Sequence, residues 1–139
     1  MSQYARNARN LRNATIREND LKEVTELLTR KGYEVHPPRK IHGLRFSVKS
    51  PDRKYLKCQF KRRAFVQWET LGNDELYMIF PGKDEAGSRE WYLVPHDKLF
   101  EILKASHGHA PKWNNPKLGE IWHCPVSKHL AEILEEYAI

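Results

Sequence analysis

Two short runs of alternating apolar and polar residues, joined by a turn, restrict this chain more than any other feature. From Gly43 to Lys49, Leu44, Phe46 and Val48 alternate with Arg45, Ser47 and Lys49; from Lys54 to Lys61, Leu56, Cys58 and Phe60 alternate with Tyr55, Lys57, Gln59 and Lys61. A period of two is that of a strand with one face buried. Ser50-Pro51-Asp52-Arg53 between the runs has the residues of a tight turn. The pair therefore predicts a β-hairpin with Arg45, Gln59 and Lys61 in the polar sets of adjacent strands, free to share one face.

The flanking segments supply the rest of a layered domain. From Asn19 onward Leu21, Val24, Leu27 and Leu28 recur at helical spacing, with Asn19 or Asp20 as the expected N-cap, and Lys31-Gly32 ends the helix. Tyr33 to Val35 reads as extended until Pro37-Pro38. Glu75 to Phe80 and Glu90 to Val94 read as third and fourth strands, ending at Pro81-Gly82 and at Pro95, with the polar loop Lys83 to Arg89 between them. Asp97 is the expected cap of a helix reaching Lys104. A Gly/Pro/Asn-rich stretch follows from Ser106 to Gly119, and Ser127 is the expected cap of a last amphipathic helix carrying Leu130, Ile133, Leu134 and Tyr137. The expected fold is α/β, one domain over residues 18–139 built on a mixed sheet of about four strands flanked by helices.

Residues 1–17 differ from the rest. Arg6, Arg9, Arg12 and Arg17 alternate with Asn7, Asn10 and Asn13, and few large apolar groups accompany them. The segment reads as a basic N-terminal arm that orders on a phosphate backbone, or as a solubilising tail. The formal charge is +6, which favours a polyanionic partner. No apolar run approaches the roughly 20 residues that span a bilayer, and no signal-peptide pattern opens the sequence. A cytoplasmic protein without membrane contact is expected. Cys58 and Cys124 are the only cysteines and match no CxxC spacing, so free buried thiols are expected rather than a disulfide scaffold.

The run LLTRKGYEVHPPRKIHGLRFSVKSPDRKYLKCQFKRR, then ELYMIF, then REWYLVPHDKLFEIL, resembles small PD-(D/E)xK nuclease domains, particularly those associated with group I introns. The resemblance implies a restriction-endonuclease-like core and a Mg²⁺-dependent endonuclease site. Such a site needs carboxylates on neighbouring strands to hold the metal and a lysine to orient or activate the nucleophile. Gln59-Phe60-Lys61 matches the family's second motif, with Gln59 as a metal ligand and Lys61 as the catalytic lysine. At the family's first aspartate this chain has Arg45, which stays protonated and repels a cation. Pro51-Asp52 spells the family's "PD" from within the predicted turn, making Asp52 a second metal-ligand candidate. Asp20 and Glu23 on the first helix are candidate catalytic acids, or else a cap and a solvated helix face.

These residues lead to an expectation of double-stranded DNA binding by an endonuclease-like domain with a degenerate or altered site. Arg6, Arg9, Arg12, Arg45, Lys57, Arg62 and Arg63 are the candidate phosphate-binding residues. An active Mg²⁺-dependent endonuclease and a protein-interaction module are the alternatives, and a homodimer is expected from the small sheet. Tyr55, Trp68, Trp91 and Trp113 are candidates for base stacking or for the core. His107, His109, His123, Cys124 and His129 in the last third could hold zinc, although their spacing fits no standard finger. Gly-x-Ser-x-Gly and P-loop motifs are absent, which weakens acyl-transfer and nucleotide-dependent readings.

Overall fold

The computed structural model describes residues 3–36, 45–72, 75–84, 89–114 and 121–139, of which 3–14, 112 and 114 are described by their backbone alone. Helix α1 runs Gln3–Arg30. Its start corrects the expected one at Asn19: Asn19 and Asp20 lie inside the helix and cap nothing. The segment Gln3–Arg17 contains alanines and arginines, both strong helix formers, and no Gly or Pro interrupts it. The basic segment is therefore helical from Gln3 and continuous with the amphipathic half of the helix. The C-terminus forms where expected. Tyr33 N–H donates to the Leu28 carbonyl at 2.9 Å and Gly32 N–H to that of Thr29 at 3.1 Å, with Gly32 at φ +91°. This paired closure needs a left-handed residue, which glycine adopts without a Cβ clash.

Among the described residues, seven strands come after the helix: β1 (Glu34–His36), β2 (Arg45–Lys49), β3 (Tyr55–Phe60), β4 (Ala64–Gln67), β5 (Leu76–Pro81), β6 (Trp91–Pro95) and β7 (Ile121–Cys124). Five form a mixed sheet in the order β1-β2-β3-β5-β6, antiparallel except for parallel β3 and β5. Tyr33 to Val35 thus leads into a short paired strand. The expected hairpin forms, with Arg45 opposite Gln59 and Ser47 opposite Lys57; the positions of Gly43 and Leu44 lie outside the described residues. The expectation of about four strands falls short by β1 and by a separate two-stranded sheet of β4 and β7.

One face of β2, β3, β5 and β6 is buried, and β5 and β6 are buried on the second face as well. On one face Val24 and Leu28 of α1 pack against Phe46, Val48, Cys58, Phe60, Ile79 and Trp91. Burial pushes the Cys58 thiol up to about 12, so it stays protonated. On the other face Leu76, Met78, Phe80, Tyr92 and Val94 meet Ala64 and Val66 of β4 and residues of α2 (His96–His107) and α4 (Lys128–Leu134). Trp91 and Trp113 are core residues, whereas Tyr55 is 70% exposed. Ser127 caps α4 as expected, accepting from Leu130 N–H at 3.2 Å, and Leu130 and Leu134 are buried while Ile133 is exposed. The stretch expected to be irregular after Ser106 includes the end of α2 and a short helix α3 (Pro111–Asn114). No described helix is long and apolar enough to cross a membrane.

Asp97 is not the cap of α2, which begins at His96 directly after Pro95. Instead it accepts from Gly72 N–H at 2.9 Å and from His96, whose Nδ1 lies 3.1 Å away. His96 is 2% exposed, and its Nε2 accepts from Gln67 N–H at 3.0 Å. The imidazole thus carries its proton on Nδ1 and fastens the end of β4 to the start of α2. His96→Ala leaves a buried N–H unpaired and a cavity, and should lower unfolding free energy by about 2 kcal/mol. Urea denaturation checks this; a loss below about 0.5 kcal/mol would rule out the fastening role.

Candidate nucleic-acid interface

Asp20 and Glu23 within α1, the end of β3 and the start of β6 meet at one end of the sheet's strands. Lys61 N–H donates to the Ile79 carbonyl at 3.0 Å and so prolongs the β3–β5 ladder by one residue. The chain then turns through Arg62 and Arg63, both exposed, before β4 begins. Lys61 Nζ sits 4.2 Å from the centroid of the Phe65 ring. Burial first, then the charges of Arg17 and Arg45, hold the Lys61 amine below the ordinary lysine value. An anion arriving here would remove that repulsion.

Above Lys61 lies the buried carboxylate of Asp20, 7% exposed. Arg89, next to β6, donates to Asp20 at 2.5 Å from Nη2 and to Glu23 at 2.7 Å from Nε. Trp91 Nε1–H also donates to Glu23, and the Arg89 guanidinium stands 4.8 Å over the Trp91 ring. Burial disfavours the Arg89 charge, but the hydrogen bonds to Glu23 and Asp20 outweigh it and raise its pKa. Arg62 Nε is 3.6 Å from the second Asp20 oxygen. Asp20 and Glu23, the candidate acids of the first helix, are thus both engaged by Arg89. A planar guanidinium suits such a two-carboxylate contact, where a lysine would meet only one well.

Between these groups opens a cleft of about 380 Å³ bordered by Asp20, Lys61, Arg62, Arg63, Arg89 and His123, with Phe65, Pro81 and Gly82 as its apolar wall. Four basic side chains therefore face one carboxylate, and that carboxylate already has two cationic partners. A larger groove of about 1070 Å³ beside α4 carries Glu90, Glu132 and Glu135 against Lys83 and Lys128, the wrong balance for a polyanion.

The other predicted site residues distribute around this cleft. Gln59 is 6% exposed and opposite Arg45 on β2, while Arg45 borders a neighbouring shallow depression with Gln67 and Thr70. Lys57 lies further along β3 and pairs with Glu75 at 3.1 Å, both exposed. Asp52 is in the turn at the opposite end of the hairpin from Gln59, where the Ser50 hydroxyl bonds it and holds its carboxyl below the usual range. Arg6, Arg9 and Arg12 lie on α1, upstream of Asp20. Cys124 Sγ is 3.8 Å from His107 Nε2, and no group of three or more His, Cys, Asp or Glu able to hold a metal forms among the described residues.

These residues do not fit Mg²⁺. The ion takes several oxygen ligands with at least one or two carboxylates. Here the carboxylate at the cleft is bound to Arg89, Asp52 is remote, and Arg45 opposite Gln59 adds positive charge. Arg89 carries no mark in the sequence, where it reads as the end of a polar loop, and neither does Phe65; His123, considered for zinc, lies opposite Phe65 on β7. Comparison with protein-family models, with characterised proteins and with solved structures returned no match.

Proposed function

We propose that this chain binds the phosphate backbone of double-stranded DNA at the cleft between α1 and the end of β3, and holds it without cleaving it. The observation that carries the reading is the set of Lys61, Arg62 and Arg63 around a carboxylate neutralised by Arg89. Arg45, Lys61, Arg62 and Arg63 are the phosphate contacts, and α1 continues from the cleft with Arg17, Arg12, Arg9 and Arg6. The lowered Lys61 pKa supports anion binding, since a phosphate would restore the favourable charged state. A restriction-endonuclease-like ancestry is consistent with a first helix over a β2–β3 hairpin whose second strand pairs in parallel with β5.

Fluorescence anisotropy with a labelled duplex of about 20 base pairs, repeated across salt concentrations, tests this. Four phosphate contacts give a slope of log K against log salt of about −3.6. Supercoiled plasmid incubated with the protein and Mg²⁺ or Mn²⁺ should remain unnicked. Nicking that requires the metal and disappears in Lys61→Ala would establish a hydrolase instead, and absence of binding at low salt would refute the DNA reading.

A further inference from the structure

The line of α1 that meets the sheet continues upstream as a different kind of surface. Leu28 and Val24 are fully buried, and Asp20, one turn earlier, is buried at the cleft. The same steps of three or four residues lead on to Arg17, Asn13, Asn10 and Arg6. Residues at these steps share one line along a helix. One such line therefore passes from core, to cleft, to Arg17, Asn13, Asn10 and Arg6, with the partly buried Ile16 beside it. Arg17 is exposed and near enough to Lys61 for its charge to act there, so the run starts at the cleft.

Phosphate attraction explains the arginines but not the asparagines. Asn adds no charge and is a poorer helix former than Ala by about half a kcal/mol. Its amide offers the donor–acceptor pair that matches an adenine edge, as a guanidinium matches guanine, and the major groove of DNA admits one α-helix. Arg6 to Arg17 spans about 16 Å at 1.5 Å per residue, the length of about five base pairs. Glu18 is the only carboxylate between Gln3 and Asn19 to oppose a close approach.

We propose that the first half of α1 enters the major groove of duplex DNA and reads base edges with Arg6, Asn10, Asn13 and Arg17, while the cleft holds an adjacent phosphate. This rests on the DNA-binding reading above and adds sequence recognition to it. The full-length protein would be used to select from a pool of randomised duplexes, followed by anisotropy on the selected and a scrambled duplex at one salt concentration. A motif of about four or five base pairs should emerge, bound about tenfold or more tighter than the scrambled duplex. The double variant Asn10→Ala/Asn13→Ala should bind scrambled DNA within about twofold of the parent and lose the preference. Circular dichroism should show its helix intact, since alanine favours helix. An RNA duplex of the selected sequence should compete about tenfold more weakly, because the A-form major groove is too deep and narrow for a helix. Intact binding without an enriched motif, a preference that survives in the double variant, or equal competition by RNA would each overturn the groove proposal and leave phosphate binding standing. Absence of all duplex binding would overturn both.

Discussion

Asp20→Ala should cost about 3 kcal/mol of stability, and Arg89→Ala a similar amount, whereas the double variant should lose well short of their sum. Asp20 is buried and Arg89 is only 20% exposed in its side chain, so removing either leaves the other poorly solvated and without its main partner. Removing both deletes the pair together with its desolvation cost. The remaining loss then comes from packing of the guanidinium over Trp91 and from Glu23, which would retain only the indole N–H. Denaturant unfolding of the four proteins gives the coupling directly, and a coupling below about 0.5 kcal/mol would show that the pair does not organise this edge. Asp20→Asn separates stability from function. It keeps the shape, removes the one carboxylate bordering the cleft among the described residues, and should tighten duplex binding several-fold while lowering stability. A metal-dependent nuclease would respond in the opposite sense, losing its acid and its activity together.

Local chemistry made part of this arrangement legible in the sequence, and distance along the chain hid the rest. The Arg45–Gln59 register follows from strict alternation in two runs joined by a short turn, because a slip of one residue would expose Phe46, Val48, Cys58 and Phe60. Gly32 and Ser127 were readable for the same reason: a left-handed closure and an N-cap are local events. Strands β4 and β7 were not readable, since each has only four residues and its partner is distant in sequence. The start of α1 was misplaced because Asn19 and Asp20 imitate a cap, while the polar Arg/Asn segment upstream lacks the apolar stripe by which a helix is recognised. Arg89 was hidden most completely. Its role depends on β6 bringing it over α1, and nothing in a polar loop distinguishes the arginine that will pair with two distant carboxylates.

Combined replacement of Arg45, Lys61, Arg62 and Arg63 by alanine should weaken duplex binding about 10³-fold at low salt. Each charge near a phosphate is worth about 1 kcal/mol, and about 1.4 kcal/mol is a factor of ten. The salt slope should shrink by about 0.9 for each contact removed, which simple unfolding would not produce. Unfolding is not expected, because Lys61 is held in its charged form at some cost. Its folded pKa is depressed below the ordinary 10.5, first by burial and then by Arg17 and Arg45. The folded state therefore binds this proton less well than the unfolded chain, so the destabilisation is fully present below the folded pKa and fades as pH rises through it toward the unfolded value. Lys61→Ala should accordingly leave stability at neutral pH unchanged or slightly higher. DNA binding should show the complementary dependence: affinity falls on the alkaline side, beginning below 10.5, as Lys61 gives up its proton, and Lys61→Arg abolishes that decline by keeping the charge. A decline that persists unchanged in Lys61→Arg would remove Lys61 from the interface, whereas its loss with affinity retained would place the amine on the bound phosphate.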